Sequence, residues 1–376
     1  MRKITLLLVA LALVLAALTS CGGEQQEETT TTTEPTEPVN TAEMEQTTAA
    51  PTEEPTTQPI DEVTDNVGAL VGVAVFNYED AFLTGVRGAI TAQANVLGAD
   101  IEVVDSEGSQ EAQDEQIDAF LADGVAALAI NAVDRTTAGA IIEKAKAVGK
   151  PIVFFNREPT EADLQSYDKA WYVGAKAEEA GRMMGEILAD YWKENNLGGS
   201  MRLVLLLGEP GHQDTDLRTE HSIKAIEDAG IQALLLASDT GMWEKERAAT
   251  SLKTIIDVVG IESFDAIIAN NDDMALGAIE VLKGEGYNAG DPEKYIPVVG
   301  VDATGEALNA MANGELLGTV FNDAEGQGKA VMNIAAAAAQ GLPVDSSAIG
   351  YEVTDEKYVW LPYVKVTAEN YQSFMD

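Results

Sequence analysis

Short apolar runs alternate with amphipathic stretches along most of the chain, from residue 68 onward. The segments "ALVGVAVF", "VAALAI" and "PIVFF" are continuously apolar and have the length of strands, whereas 80–98 and 137–148 between them have helical periodicity. The alternation then repeats through "MRLVLLLG", "QALLLA", "DAIIAN", "IPVVGV" and "LGTVFN". Continuous apolar strands separated by helices are typical of parallel sheets that are covered on both faces.

About three hundred residues take part in this alternation, which is more than one ordinary core accommodates. The two series of strands and helices are of similar size. We therefore predict an α/β fold with two doubly wound parallel-sheet lobes.

The N-terminus has the pattern of an export signal. Two cations precede a compact apolar run in 1–20, which predicts a signal peptide, and Cys21, the only cysteine, follows directly in "LTSC". This resembles a bacterial lipoprotein signal, in which that cysteine is lipidated. Residues 21–67 are rich in Thr, Glu and Pro and have few large apolar residues, so we expect a disordered acidic tether on the outer face of the cell membrane.

The charge of the chain limits its partners. The formal net charge is −40 at pH 7. Nucleic acid is not expected as a partner, because phosphate binding needs a basic face.

Polar and aromatic side chains gather where the predicted strands end. In open parallel sheets the carboxyl ends of the strands form the ligand crevice. Helix capping accounts for part of this set, since Asp and Asn are favoured N-caps, but it does not account for an arginine and two aromatic rings. The candidate ligand-binding residues are Asp80, Phe82, Asn131, His212, Asp214, Arg218, Trp243, Asn271, Asp302 and Asn322.

These residue types suit a sugar. Carboxylates accept hydrogen bonds, arginine donates them and carboxamides do both, which matches hydroxyl groups, while aromatic rings suit the C–H faces of a pyranose. An amino acid fits less well, and several carboxylates would repel an anion.

Metal and catalytic readings fit the sequence less well. His212 and His221 lack the HExxH spacing, and no calcium-loop motif is present, so we expect no metal and no cofactor. Asp80 with Asp214 or Asp302 offers two carboxylates for a glycan-active surface enzyme, but no catalytic motif stands between a strand and a helix, and we expect a protein that is not an enzyme.

Several motifs follow the same order as in one known family. "VFNYEDAF", "ALAINAVD", "PIVFFNREP", "GEPGHQD", "IANNDDMALGA", "VVGVDA" and "GTVFNDAEGQ" resemble the galactose/glucose-binding proteins among the type I periplasmic binding proteins of ABC importers. The resemblance covers the chain from about residue 68 to its end. It implies that the ten candidates contact a sugar, with Phe82 and Trp243 on its two faces.

The resemblance also implies three chain crossings between the lobes, which we place near Lys150–Pro151, Asn322–Asp323 and Lys357–Tyr358. The first lobe is then 68–150 plus 323–357, and the second is 151–322 plus 358–376. A monomer that closes on a hexose and delivers it to a membrane ABC permease is expected. A sugar sensor that presents the closed form to a receptor or chemoreceptor is the alternative.

One segment departs from the family. Its best-known members carry a Ca²⁺ loop where this chain reads "WKENNLGGSMRL", which lacks alternating Asp and Asn oxygens. Asp265 occupies the place of one distant acidic ligand. We therefore expect no structural calcium of that type.

Overall fold

The computed structural model describes residues 69–375. The predicted signal peptide, the predicted lipidation site Cys21 and the predicted tether lie outside the described residues. Within 69–375, no helix combines the length and apolar character needed to cross a membrane.

The first sheet has six parallel strands in the order β11-β5-β4-β3-β1-β2. They are β1 (Leu70–Val75), β2 (Asp100–Asp105), β3 (Ala127–Ile130), β4 (Ile152–Phe155), β5 (Ala170–Gly174) and β11 (Tyr358–Trp360). Every residue of β3, β4 and β5 is buried, as expected for strands covered on both faces.

Helices cover both faces of this sheet. They are α1 (Ala81–Leu97), α2 (Gln110–Asp123), α3 (Ala138–Ala147), α4 (Glu161–Gln165), α10 (Ala324–Ala339) and α11 (Ser346–Ile349). Alternate side chains of β1 divide between two cores: Val73 packs in the core with α1 and α10, and Ala74 packs in the core with α2 and α3. The period of two along a strand explains this division.

The second sheet has four parallel strands in the order β7-β6-β8-β9. They are β6 (Ser200–Leu207), β7 (Gln232–Thr240), β8 (Ala266–Ala269) and β9 (Val298–Val299). An antiparallel pair, β10 (Thr319–Phe321) and β12 (Val364–Val366), adjoins β9 through a parallel bridge between Val299 and Gly318.

The helices of the second lobe are α5 (Ala177–Glu194), α6 (Gln213–Asp228), α7 (Lys245–Val259), α8 (Asp272–Gly284) and α9 (Gly305–Ala312). Two glycines let α5 and α6 approach closely. A Cβ at Gly185 would lie 2.3 Å from the carbonyl oxygen of Ser222, and one at Gly181 would lie 2.6 Å from that of Arg218. This packing fixes α6, whose N-cap is the candidate His212 and whose first two turns carry the candidates Asp214 and Arg218.

Both predicted features of the fold class, α/β layering and two lobes with parallel sheets, are confirmed. The predicted lobe boundaries need correction. In the first sheet β4 pairs with β3, β5 pairs with β4, and β11 pairs with β5, so 151–174 and 358–360 belong to the first lobe. The chain therefore leaves the first lobe between Gly174 and Ala177 and crosses for the last time through Leu361–Tyr363.

Candidate functional site

A cleft of about 1460 Å³ separates the two lobes and takes its walls from both. It is continuous with an inner recess of about 40 Å³, since residues such as Asp80, Phe82 and Trp243 line both spaces. The following predicted ligand residues line the recess: Asp80, Phe82, His212, Asp214, Arg218, Trp243, Asn271 and Asp302. Asn322 lines the wider cleft.

Asp80 reaches the recess from the N-cap of α1. One carboxylate oxygen, Oδ1, accepts a hydrogen bond from the backbone N–H of Leu83 at 2.8 Å. This cap fixes the side chain and leaves Oδ2 for another donor. Burial raises the pKa of Asp80, while the N–H of Leu83 and the charge of Arg157 partly offset that rise.

His212 is the N-cap of α6. Its Nδ1 accepts a hydrogen bond from the backbone N–H of Asp214 at 3.1 Å, so in the neutral ring the proton is on Nε2. Burial, with the nearby arginines, lowers the pKa of His212 to about 2. The ring is therefore a neutral N–H donor, and it packs edge-on against Trp243 with the ring centroids 5.2 Å apart.

Arg218 is held at the floor of the recess, with 4% of its surface exposed. Its guanidinium donates to the carbonyl oxygen of Asn270 at 2.8 Å, to Oδ2 of Asp214 at 2.9 Å and to the hydroxyl of Tyr363 at 3.0 Å. Burial alone would lower the pKa of Arg218, but Tyr363, Asp214 and Asp302 outweigh this effect, and the pKa lies above its ordinary value. The cation is permanent and can orient both Asp214 and a ligand oxygen.

Asp302 lies between the two lobes with its charge almost fully desolvated. Burial raises the pKa of Asp302 well above its usual range, although Arg218 lowers it. Its Oδ1 accepts from Nδ2 of Asn322 at 3.2 Å, and Asn322 in turn accepts from Gln327 at 2.8 Å. Asn322 therefore orients Asp302 as well as lining the cleft.

Asn271 and Trp243 are coupled. Oδ1 of Asn271 caps α8 by accepting from the N–H of Met274 at 3.0 Å, and Nδ2 donates to the carbonyl oxygen of Trp243 at 3.1 Å. The indole N–H of Trp243 is buried and has no protein acceptor in the described part of the chain. Asn271 thus fixes the loop that holds the ring against the recess.

The cleft walls carry residues in an unusual backbone conformation. Asn156, Met242, Trp243, Asp302 and Ala303 have φ values of 60°, 54°, 69°, 119° and 54°. Positive φ is disfavoured for residues with a Cβ, and such residues cluster at ligand sites when the surrounding structure enforces them. These loops are therefore shaped around the cleft rather than by local preference.

Asn131 is not among the residues that line the recess or the cleft, and its role as a ligand residue stays a prediction. It is fully buried; Oδ1 accepts from the N–H of Phe76 at 3.1 Å, and Nδ2 donates to the carbonyl of Phe155 and to Oδ1 of Asn156, each at 3.1 Å. Asn131 joins the ends of β1 and β4 and positions Asn156, the asparagine that does line the recess.

Besides Leu83 of α1, three polar or aromatic residues line the recess without belonging to the predicted set: Phe76, Asn156 and Arg157. All three follow strand ends, β1 or β4, and the strand-end rule that selected the other candidates also applies to them. The prediction placed β4 in the second lobe, which separated Asn156 and Arg157 from Asp80 in the first.

Where the sequence "WKENNLGGSMRL" replaces the calcium loop of the family's best-known members, Arg202 forms an ion pair with Asp265. Asp265 accepts from the backbone N–H of Arg202 at 2.7 Å and from its Nε at 3.0 Å, with Nη2 2.5 Å from the other oxygen. Both carboxylate oxygens of Asp265 are thereby used. Among residues 69–375, no group of three His, Cys, Asp or Glu side chains is arranged to hold a metal ion.

The recess therefore presents acceptors on Asp80, Asp214 and Asp302, a neutral N–H on His212, a fixed cation on Arg218, and two rings. This set can pair several hydroxyls that both donate and accept, and it offers apolar surface to C–H groups.

Comparison with known proteins gives consistent matches. Residues 71–343 match the periplasmic binding protein domain. The D-galactose/methyl-galactoside binding periplasmic protein MglB of Haemophilus influenzae is 39% identical over 311 residues, covering 81% of this chain and 91% of that protein. The ribose import binding protein RbsB of Bacillus subtilis is 26% identical over 259 residues, covering 69% and 78%.

Solved structures agree in fold. An ABC transporter solute binding protein from Bacillus halodurans with bound myo-inositol has a TM-score of 0.69 and 29% identity, covering 83% of this chain and 99% of that one. A galactofuranose binding protein has a TM-score of 0.70 at 21% identity, and the match covers 81% of this chain and 97% of that one.

Proposed function

Because the chain belongs to the periplasmic binding protein family, we propose that it binds a neutral hexose, galactose or glucose, between its lobes and delivers it to an ABC permease. At the coarser level, the chain is an extracytoplasmic sugar-binding protein of the ABC-transporter type and not an enzyme. The relatives differ in their sugars, so the choice of a hexose rests on the recess itself.

The observation that carries the proposal is the composition of the recess. Three carboxyl groups, on the buried Asp302 and the partly buried Asp80 and Asp214, and two buried arginines, Arg157 and Arg218, surround a space bordered by Phe82 and Trp243. Buried carboxylates form strong charge-assisted hydrogen bonds with hydroxyl donors, which offsets their desolvation. An anionic ligand would meet these carboxylates without enough cations to balance them.

Closure follows from the distribution of these groups. Asp80, Phe82 and Asn131 belong to the first lobe, whereas His212, Asp214, Arg218 and the remaining candidates belong to the second. Only a closed arrangement lets one small ligand contact both sets, so the ligand favours closure by its differential affinity for that form.

Isothermal titration calorimetry tests the proposal on the mature chain with D-galactose, D-glucose, D-ribose, L-arabinose and D-xylose. We expect galactose or glucose to bind most tightly. Asp80→Asn keeps a side-chain acceptor for the helix cap but loses the charge, and we expect affinity to fall by about 2–4 kcal/mol, which is about 30- to 1000-fold. Asp216→Asn, an exposed carboxylate on the same helix as Asp214, is the control. Equal affinity in Asp80→Asn and in the control would contradict the proposal, as would tightest binding of a pentose.

We also propose that Cys21 carries a lipid and that 21–67 extends the binding lobes away from the membrane. Metabolic labelling with an alkyne fatty acid tests this. Label should appear in the wild-type chain and be absent from Cys21→Ala; equal labelling of both chains would contradict the anchor.

A further inference from the structure

Two neighbouring polar contacts join the lobes beside the recess. Nη2 of Arg157 lies 3.0 Å from Oε2 of Glu209, and Nε2 of Gln213 donates to Oε2 of Glu158 at 2.7 Å. Arg157 and Glu158 follow β4 in the first lobe, while Glu209 and Gln213 flank the turn between β6 and α6 in the second. Two consecutive residues of the first lobe therefore bind the same turn of the second lobe, one through an ion pair and one through a hydrogen bond.

Arg157 is fixed to its own lobe independently of Glu209. Its Nη1 donates to the carbonyl oxygen of Val133 at 2.6 Å, and its guanidinium carbon lies 3.8 Å from the centroid of the Phe76 ring. Only 4% of Arg157 is exposed. Burial lowers the pKa of Arg157, and the charge of Glu209 raises it again. The Arg157 guanidinium is thus already fixed in position and partly desolvated by its own lobe when closure brings Glu209 into contact with it.

Glu158 is also held from its own side. Nε of Arg135 donates to its backbone carbonyl at 2.6 Å, which fixes the residue, and burial raises the pKa of its carboxyl while Gln213 lowers it. Gln213 is the first residue of α6 and stands between His212 and Asp214. The second contact therefore acts on the segment that carries two candidate sugar ligands.

We propose that the pairs Arg157–Glu209 and Glu158–Gln213 form a cross-lobe latch that sets the open–closed equilibrium, and through it the lifetime of the bound sugar. The inference rests on the proposed function for its ligand but concerns the conformational change. Both contacts require the lobes to be together, so they stabilise the closed form and are lost on opening. The latch therefore adds to affinity by slowing reopening.

The test compares Glu209→Gln and Gln213→Ala with wild type, using the full mature chain. Glu220→Gln is the matched control, because Glu220 is an exposed carboxylate on the same helix, α6. Stopped-flow Trp fluorescence with D-galactose gives the association and dissociation rates, and fluorescence energy transfer between labels on the two lobes reports the fraction closed. We expect each latch variant to dissociate about five- to twentyfold faster with association changed less than twofold, and the labels to move apart.

Dissociation within twofold of wild type in both latch variants overturns the latch. Faster dissociation with no change in the fraction closed, with or without sugar, also overturns it, because it shows that these side chains touch the sugar instead. If the wild-type chain binds none of the sugars, the proposed function fails, and the interlobe distance alone decides: a longer distance in Glu209→Gln supports the latch and an unchanged one overturns it.

Discussion

Replacing Arg218 with methionine removes the cation at the floor of the recess while keeping most of the apolar volume. The variant loses the hydrogen bonds that the guanidinium donates to the carbonyl oxygen of Asn270, to Asp214 and to Tyr363. The Asp214 side chain, only 14% exposed, would keep its charge without a partner. The perturbation therefore tests whether the recess depends on this one buried ion pair.

The magnitude follows from burial. Removing one partner of a buried ion pair costs about 3–5 kcal/mol, because the remaining charge is desolvated and unpaired. Each kcal/mol of lost stability lowers the melting temperature by about 2–4 °C in domains somewhat smaller than this one, so we expect a fall of roughly 6–20 °C. Sugar affinity should fall below detection, since Arg218 also orients Asp214.

The assay is thermal unfolding followed by circular dichroism, with and without D-galactose. Arg218→Met combined with Asp214→Leu is the control, because replacing both partners by apolar residues removes the unpaired charge. We expect the double variant to recover at least half of the lost stability but none of the binding. A single variant within about 1 kcal/mol of wild type would refute the reasoning, as would a double variant no more stable than the single one.

Three further outcomes are expected. Gly208→Ala should weaken sugar binding by about tenfold or more, because its Cβ would lie 2.2 Å from the Trp243 ring, whereas Gly88→Ala, with open space, should not; titration calorimetry measures both. Burial, and secondly the charge of Asp80, raise the pKa of Asp273 to about 6. The ionised carboxylate therefore lowers the stability of the folded chain above that pH, and the protonated group does not below about pH 4. Asp273→Asn should be more stable than wild type by about 1 kcal/mol at pH 7.5, since the group is partly exposed, and equally stable at pH 4; thermal unfolding at both pH values measures this. Burial lowers the pKa of His212 to about 2, so His212→Gln should keep the wild-type pH dependence of affinity between pH 5.5 and 8; a titration step lost in that variant would contradict this.

The α/β layering was predictable because continuous apolar strands separated by amphipathic helices report burial on both faces. The lobe to which each strand belongs was not. Strand β4 is as apolar as β6, and pairing depends on which neighbour it meets in space rather than on its own sequence. For this reason the predicted boundaries place 151–174 in the second lobe, although these residues belong to the first.

The strand-end residues show how far local rules reach. Helix capping and ligand binding are compatible roles, because Asp80, His212 and Asn271 each cap a helix and also line the recess. A cap fixes a side chain at the cleft edge, so one residue serves both purposes. Asn131 and Asn156 illustrate the limit: both follow apolar strands, and the strand pattern alone does not show that Asn156 lines the recess while Asn131 is fully buried.

A crystal structure of the mature chain with D-galactose tests the central claim most directly. The account predicts hexose density in the recess between Phe82 and Trp243, with Asp80 within hydrogen-bond distance of a sugar hydroxyl and Arg218 within that distance of the ring oxygen or a hydroxyl. Well-ordered density for a hexose elsewhere, or an empty recess at saturating sugar with those two rings turned away, would contradict it.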